Sequence, residues 1–385
     1  MRFARLVLIV FALPVLAGCT GSGGGATPGA TSAPAASATA AASVSTPATP
    51  GAPATLQPAP EITVQPGFHV AIYASGLDKP TAMAWRDDGR LYLTQGTKVV
   101  LVEAGSASPE QVVGQLDTPL GLAWIGQQLV IAEQGKVTRV DFSLRPAQSR
   151  TIVDNLPFKL HQQDNIVAGP DGRLYLGSGS TCDVCNEPDP RSAAILSFKP
   201  DGSDLKVVTN GLRNPFGLAF QPGTGKLYAT VNGQDALDGP AGPEPADMLV
   251  RIDGGAFYGW PRCWPSAQEI KLKGDCAGVT APAAYLTPHS SADGFAFYTG
   301  ASFPAEYAGN AFIAQWGTYA EGTPYGRNLV RVRLDADGTA PIDHVSVFAT
   351  GFEHPIAVTV DAAGALLVAD WSRGVIYRIQ ADGKP

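Results

Sequence analysis

Pro215-Phe-Gly-Leu-Ala219, a tight turn, then Leu227-Tyr-Ala229: an apolar strand led by proline is followed at once by a second apolar strand. The phrase returns as Pro119-Leu-Gly-Leu-Ala123 before Leu129-Val-Ile131, and as Pro80-Thr-Ala-Met-Ala84 before Leu91-Tyr-Leu93. Looser copies run from Asp164 to Leu176, from Ala292 to Ala314 and from Pro355 to Val368. Outer strands such as Leu249-Val-Arg-Ile252, Leu329-Val-Arg-Val332 and Val375-Ile-Tyr-Arg378 are expected to close the copies. A small antiparallel sheet cannot bury both its faces alone, so six copies imply radial stacking around a channel. The expected fold class is all-β, a six-bladed β-propeller preceded by a lipoprotein signal peptide and a disordered linker.

The propeller is expected over residues 61–385, a length that suits one all-β unit. Ahead of it, Arg2 and Arg5 precede an apolar run from Leu6 to Leu16, too short to span a bilayer and suited to a signal peptide over residues 1–18. Leu16-Ala-Gly-Cys19 resembles the bacterial lipobox, which makes Cys19 the acylated first residue of the mature chain, anchored by more than one acyl group. Thr20 to Pro60 holds no charged residue and is rich in Ala, Ser, Thr, Pro and Gly, so residues 19–60 read as a lipidated cysteine plus tether. The expected location is the bacterial cell envelope, lipid-anchored and extracytoplasmic, in the periplasm or at the cell surface.

The chain carries a net charge of -7, which becomes -9 once Arg2 and Arg5 leave with the signal. With no basic stripe, nucleic acid is an unsuitable partner, and an anionic ligand would need locally placed cations. Four cysteines besides Cys19 allow three pairings. The favoured set is Cys182 with Cys185 and Cys263 with Cys276, each closing a local loop in a chain that leaves the reducing cytoplasm. Zinc is disfavoured, because no histidine lies close in sequence to complete four ligands.

In an antiparallel hairpin the start of the first strand and the end of the second lie at one end. Counting back from each anchor alanine or its equivalent therefore reads a ring of residues around the channel mouth. Seven positions back stand His161 and His289, six back Arg213 and Glu353, five back Asn214 and His354. Three of the five histidines of the chain fall on this rim. After the second strands come Gln95, Gln134, Ser178 to Ser180, Asn232 to Asp235, Gln315-Trp316 and Asp370-Trp371. Polar groups with aromatic walls suit a carbohydrate or cofactor site. Each residue also has a bland role: a histidine can cap a loop, Arg213 can neutralise an acid, and Phe257-Tyr-Gly-Trp-Pro261 can be corner packing.

His161-Gln-Gln-Asp-Asn-Ile-Val-Ala-Gly-Pro-Asp-Gly-Arg-Leu-Tyr175, Gly211-Leu-Arg-Asn-Pro-Phe-Gly-Leu-Ala-Phe220 and Gly254-Gly-Ala-Phe-Tyr-Gly-Trp-Pro261 together resemble the soluble glucose and sorbosone dehydrogenases. The tract Phe297-Tyr-Thr-Gly-Ala-Ser-Phe-Pro-Ala-Glu-Tyr307 fits as well, and the likeness covers about Pro66 to Gln380. The resemblance implies a sugar dehydrogenase acting on an aldose or sorbosone-type substrate, dependent on pyrroloquinoline quinone and Ca2+. It places His161 as general base and Arg213, a second catalytic group, with Asn214 beside the quinone oxygens. His354, Arg327, Trp316 and Thr318 join the cofactor site by the same likeness, and Gly233, Gln234 and Asp235 the calcium loop. An electron acceptor in the membrane or periplasm is the implied partner.

Three departures stand out. Leu160 replaces the acid that precedes the histidine in the glucose dehydrogenases, with Asp164 the nearest substitute. His354 stands where the family has arginine, and Gln315-Trp-Gly-Thr-Tyr319 holds no lysine, leaving Arg327 to compensate. Two other functions fit a propeller of this size: a carbohydrate- or protein-binding lipoprotein without turnover, and a calcium-dependent lactone hydrolase using Glu133, Asn232 and Asp370.

Overall fold

The computed structural model describes residues 55–235, 237, 242–318 and 325–383. Cys19, the expected signal peptide and most of the expected linker lie outside these residues. Six antiparallel sheets succeed one another around an axis, as the repeated phrase requires. Blade one comprises Pro80–Trp85, Leu91–Gln95, Lys98–Val102 and Glu110–Val113; blade two comprises Gly121–Ile125, Gln128–Glu133, Lys136–Asp141 and Gln148–Val153. Blade three runs from Gln163–Ala168 through Leu174–Ser178 and Ala194–Phe198 to Lys206–Asn210. Blade four uses Asn214–Phe220, Leu227–Asn232, Ala246–Arg251 and Ala284–Pro288, with an inserted hairpin of Cys263–Ser266 and Lys271–Gly274. Blade five joins Ala292–Phe297, Ala311–Gln315, Asn328–Val332 and Val345–Thr350, edged by Thr63–Val64.

Blade six takes Pro355–Val360, Leu366–Asp370 and Val375–Ala381 from the end of the chain and Phe68–Ala74 from its beginning, edged by Gln57–Pro58. This pairing ties the two ends of the ring together through main-chain hydrogen bonds. It also starts the sheet at Gln57, ahead of the Glu61 read from the sequence. The strands expected to be outermost, containing Leu249, Leu329 and Val375, are instead third strands, each covered by a fourth.

Hydrophobic packing fills the six seams between blades. One cluster, for example, interleaves Tyr92, Val99 and Leu101 of blade one with Leu122, Leu129 and Ile131 of blade two. Corresponding clusters join each other adjacent pair, including blades six and one through Leu91, Leu93, Leu367 and Ile376. The glycine of the repeated phrase lets neighbouring inner strands approach. A Cβ on Gly217 would sit 2.4 Å from the Asp293 carbonyl oxygen of blade five and 2.7 Å from Thr230 Oγ1. Gly217→Ala is therefore expected to cost about 1–3 kcal/mol through a forced backbone shift, read as a fall in Tm.

The last residue of each second strand is buried and polar, and several tie down the loop that leads into their own blade. Gln95 Oε1 accepts from Asp78 N at 3.0 Å, Glu133 Oε2 from Asp117 N at 2.7 Å, and Asp370 from Glu353 N and His354 N at 2.7 and 3.1 Å. Glu133 and Asp370 thus hold loop amides, and with them the ring of acidic and amide ligands that a lactone hydrolase would need loses two of its three nominees. Among the described residues no helix is long and apolar enough to cross a membrane.

Candidate active site

A cavity of about 340 Å3 opens at the end where the first strands begin and the second strands finish. His161, Arg213, Asn214, Asn232, Gly233, Asp235, His289, Trp316 and Thr318 line it, so the ring counted from the sequence converges in space. Phe216, Asp247, Ser291 and Asp293 contribute to its wall as well.

His161 is oriented by a group that sequence reading left without a role. Ser180 Oγ donates its hydrogen to the Cys182 carbonyl at 2.6 Å, so toward His161 it can only accept. His161 Nδ1 lies 3.0 Å from that oxygen and 3.2 Å from the Ser180 carbonyl. Both partners are acceptors, which places the proton on Nδ1 and leaves Nε2 as the basic nitrogen. Burial, reinforced by the Arg213 guanidinium, lowers the pKa of His161 to about 4. The ring is consequently neutral near pH 7.

Asp164 does not take the place of the missing acid. It sits fully buried on the inner strand of blade three, where desolvation and the Asp293 carboxyl push its pKa well up. Asp293 is raised well above the usual range too, first by burial, then by Asp247. Asp247 is raised by burial although Gly233 N, Ser290 Oγ and Ala292 N all donate to it. Burial is the leading cause of all three shifts.

Arg213 is nearly buried and gripped by two carboxylates. Its Nε donates to Asp183 Oδ1 at 3.0 Å, and its Nη2 lies 2.8 Å from the same oxygen and 3.1 Å from Asp235 Oδ2. Asp183 is itself fixed, since Asp235 N donates to its carboxylate and Trp260 Nε1 to its carbonyl. The Cys182–Cys185 and Cys263–Cys276 disulfides form as expected, the first closing the loop that carries Asp183. The Phe257 to Pro261 tract is corner packing, with Tyr258 and Trp260 buried.

On the far wall, His289 Nε2 donates to the Glu244 carbonyl at 2.9 Å while Nδ1 faces Asp235 Oδ1 at 3.5 Å. Burial opposes its proton, but these two partners outweigh burial, and its pKa lies above the ordinary value. The Glu244 side chain is fastened to the inserted hairpin by Trp264, Ser266 and Lys273 at 3.2, 2.6 and 3.1 Å.

Three residues expected at the cofactor or metal site do not line this cavity. His354 stands behind Trp316, ring centroids 3.9 Å apart, with Nδ1 2.6 Å from Ser372 Oγ; it supports the tryptophan and does not line the cavity. Arg327 lies just outside, against Gly317, where a Cβ would meet Arg327 Cγ at 2.7 Å. Its charge, after burial, lowers the His354 pKa. Gln234 turns into a small adjoining cavity with Pro245, Trp260 and Trp264. Asp235 Oδ2 pairs with Arg213 while Oδ1 faces His289 at 3.5 Å, so a calcium ion in this loop would draw on main-chain carbonyls and on Gln234 Oε1, which is buried and has no hydrogen-bond partner. Among the described residues the one cluster of three His, Cys, Asp or Glu ligands is Cys182, Cys185 and Glu187, and its two thiols are consumed by the disulfide.

A glucose/sorbosone dehydrogenase family model matches residues 128–378, which carry blade two from its second strand, blades three to five and most of blade six. The chain belongs to this family. A protein of uncharacterised function from Borreliella burgdorferi is 24% identical over 353 residues, covering 83% of this chain and 92% of its own. Among solved structures, the holo form of the PQQ domain of pyranose dehydrogenase from Coprinopsis cinerea superposes with a TM-score of 0.70 at 19% identity, over 84% of this chain and 98% of that one. The PQQ-bound aldose sugar dehydrogenase of Streptomyces coelicolor gives 0.61 at 20%, over 83% and 100%. At such identities the superpositions establish the six-bladed fold. As a family member the chain keeps the histidine, arginine and asparagine of the resemblance in one cavity, and adds Ser180 and Asp183 as their supports. Neither support was legible beforehand: Ser180 was read only as a rim position, and Asp183 reaches Arg213 across 30 residues.

Proposed function

We propose that the chain is a quinoprotein dehydrogenase that oxidises the anomeric hydroxyl of an aldose or a related aldehyde such as sorbosone. The observation that carries this reading is the convergence of a neutral His161, held with Nε2 unprotonated, and a fixed Arg213 on one cavity. Pyrroloquinoline quinone, with calcium, would supply the two-electron acceptor. The residues fit a planar, oxygen-rich group through the chemistry of the donor set: the Arg213 guanidinium and the flat Trp316 ring line the same cavity. Arg213 and Asn214 would hold the group on one side, Trp316 and Thr318 on the other.

His161 Nε2 takes the proton of the substrate hydroxyl as the C–H electrons depart. Ser180 keeps the ring in the tautomer that can accept it. Arg213 faces the charge that develops, and Nη1 makes no hydrogen bond to a described residue. In this reading acylated Cys19 anchors the propeller beside an electron acceptor of the envelope. A propeller that binds saccharide without turnover is the competing reading, favoured by the pairing of Arg213 with two carboxylates.

Dye-coupled oxidation of a panel of aldoses by the quinone- and calcium-loaded chain tests the proposal; no reduction with any of them sinks it. Ser180→Ala removes one of two acceptors for Nδ1, worth about 1 kcal/mol, and is expected to lower kcat by roughly fivefold with little change in KM. Steady-state kinetics of the variant checks this.

A further inference from the structure

We infer that the mouth of this cavity is built for a saccharide that is apolar at the end away from its reacting carbon. The inference rests on the reading of His161 as the base, because it is His161 that fixes which end of the substrate points inward. Leu160 is the next residue along, lines the cavity, and leaves 53% of its surface exposed. Phe158, two residues earlier, and Val184, in the disulfide loop just after the Thr181 carbonyl to which Leu160 N donates, are 46% and 44% exposed. Isolated exposed apolar residues need no explanation, but Leu160 in the cavity wall with two more on the segments tied together beside it concentrates apolar surface on this rim.

The patch is carried on a braced frame. Leu156 N donates to the Gly135 carbonyl at 2.9 Å, Gln163 Nε2 to the Pro157 carbonyl at 2.8 Å, and Leu160 N to the Thr181 carbonyl at 3.3 Å. Phe158 covers Gly135, where a Cβ would meet its ring at 2.8 Å. Thr181 donates twice to Glu187, through N at 2.5 Å and Oγ1 at 2.7 Å, and Val184 lies inside the Cys182–Cys185 loop. Apolar side chains are thus held out into solvent by polar ties behind them. Two blades round the ring Trp316 presents an aromatic face to the same cavity.

A fully hydroxylated sugar leaving this cavity would set hydroxyls against Leu160 and lose their hydration. An alkyl, aryl or acyl group in the same place gains from contact, and a few methylenes against such a wall give about tenfold or more in discrimination. The ligand class is therefore an amphiphilic reducing sugar, with hydroxyls inside and hydrocarbon at the lip.

The test uses the full chain with D-glucose and 6-O-hexyl-D-glucose, whose chain lies at the far end from the anomeric carbon. Calorimetry without an electron acceptor should show the hexyl ether binding at least about tenfold more tightly, and the loaded enzyme should show the same preference in kcat/KM. Leu160→Asp and Phe158→Ser, both at exposed positions, should each shrink the ratio toward unity. Equal binding of the two sugars, or a ratio unchanged in both variants, overturns the inference. A hexyl preference in binding with no oxidation of either sugar leaves the lip standing and removes the dehydrogenase reading.

Discussion

Replacing His161 with alanine is expected to lower kcat by about 10²–10⁴-fold while leaving quinone binding within a few-fold of wild type. The split follows from the site. The imidazole of His161 hydrogen-bonds to Ser180 alone, so truncation removes no hydrogen bond of the Arg213 or Asn214 side chains. Its depressed pKa also fixes the pH profile. A base must be unprotonated to act, and His161 stays so above a pKa of about 4. The acid limb of kcat/KM should therefore lie near pH 4, with activity falling tenfold per unit below it and no inflection near pH 6.5. A profile centred at pH 6.5 would mean that burial and Arg213 do not act on the base as described.

Arg213→Ala should strike the other half of the machinery. Charge-assisted hydrogen bonds contribute about 1.5–3 kcal/mol, so quinone affinity is expected to fall about 10- to 100-fold. Stability should fall as well, because Asp183 and Asp235 lose their shared cation. That cost is moderated by solvent, since their side chains remain 30% and 31% exposed. Arg213→Lys should recover little, because one ammonium cannot reach Asp183 through two nitrogens and Asp235 at the same time. Equilibrium titration of quinone into each variant, with urea unfolding alongside, separates the two effects.

Much of the fold and the ring of site residues could be read from the chain because one constraint repeats. The second strands of the blades are buried almost throughout, so they appear as largely apolar runs, and the proline-led phrase ahead of them fixes their register. Counting from that register found His161, Arg213, Asn214 and Trp316 in one cavity. The fourth strands escaped notice because they lie at blade edges: Gln148–Val153 and Lys206–Asn210 are mostly exposed or half-buried and carry no such run. Closure of blade six by Phe68–Ala74 joins the two ends of the propeller, and no local pattern announces it.

Within the site, what was missed depends on side-chain direction. His354 occupies the expected rim position but turns behind Trp316, and Gln234 turns into the neighbouring cavity. Ser180 acts through a choice of donor and acceptor that exists only once Cys182 is beside it. Asp164 had the right chemistry to steer His161 and the wrong strand position to do so.

The most direct measurement of the central claim is a titration of the full chain with pyrroloquinoline quinone in excess calcium, following the absorbance of the quinone. The account predicts saturable binding of one quinone per chain, weakened in Arg213→Ala and preserved in His161→Ala. Absence of binding at micromolar quinone would contradict it: the pairing of Arg213 with Asp183 and Asp235 would then leave too little positive charge for the cofactor, and the cavity would belong to a propeller that binds without turnover.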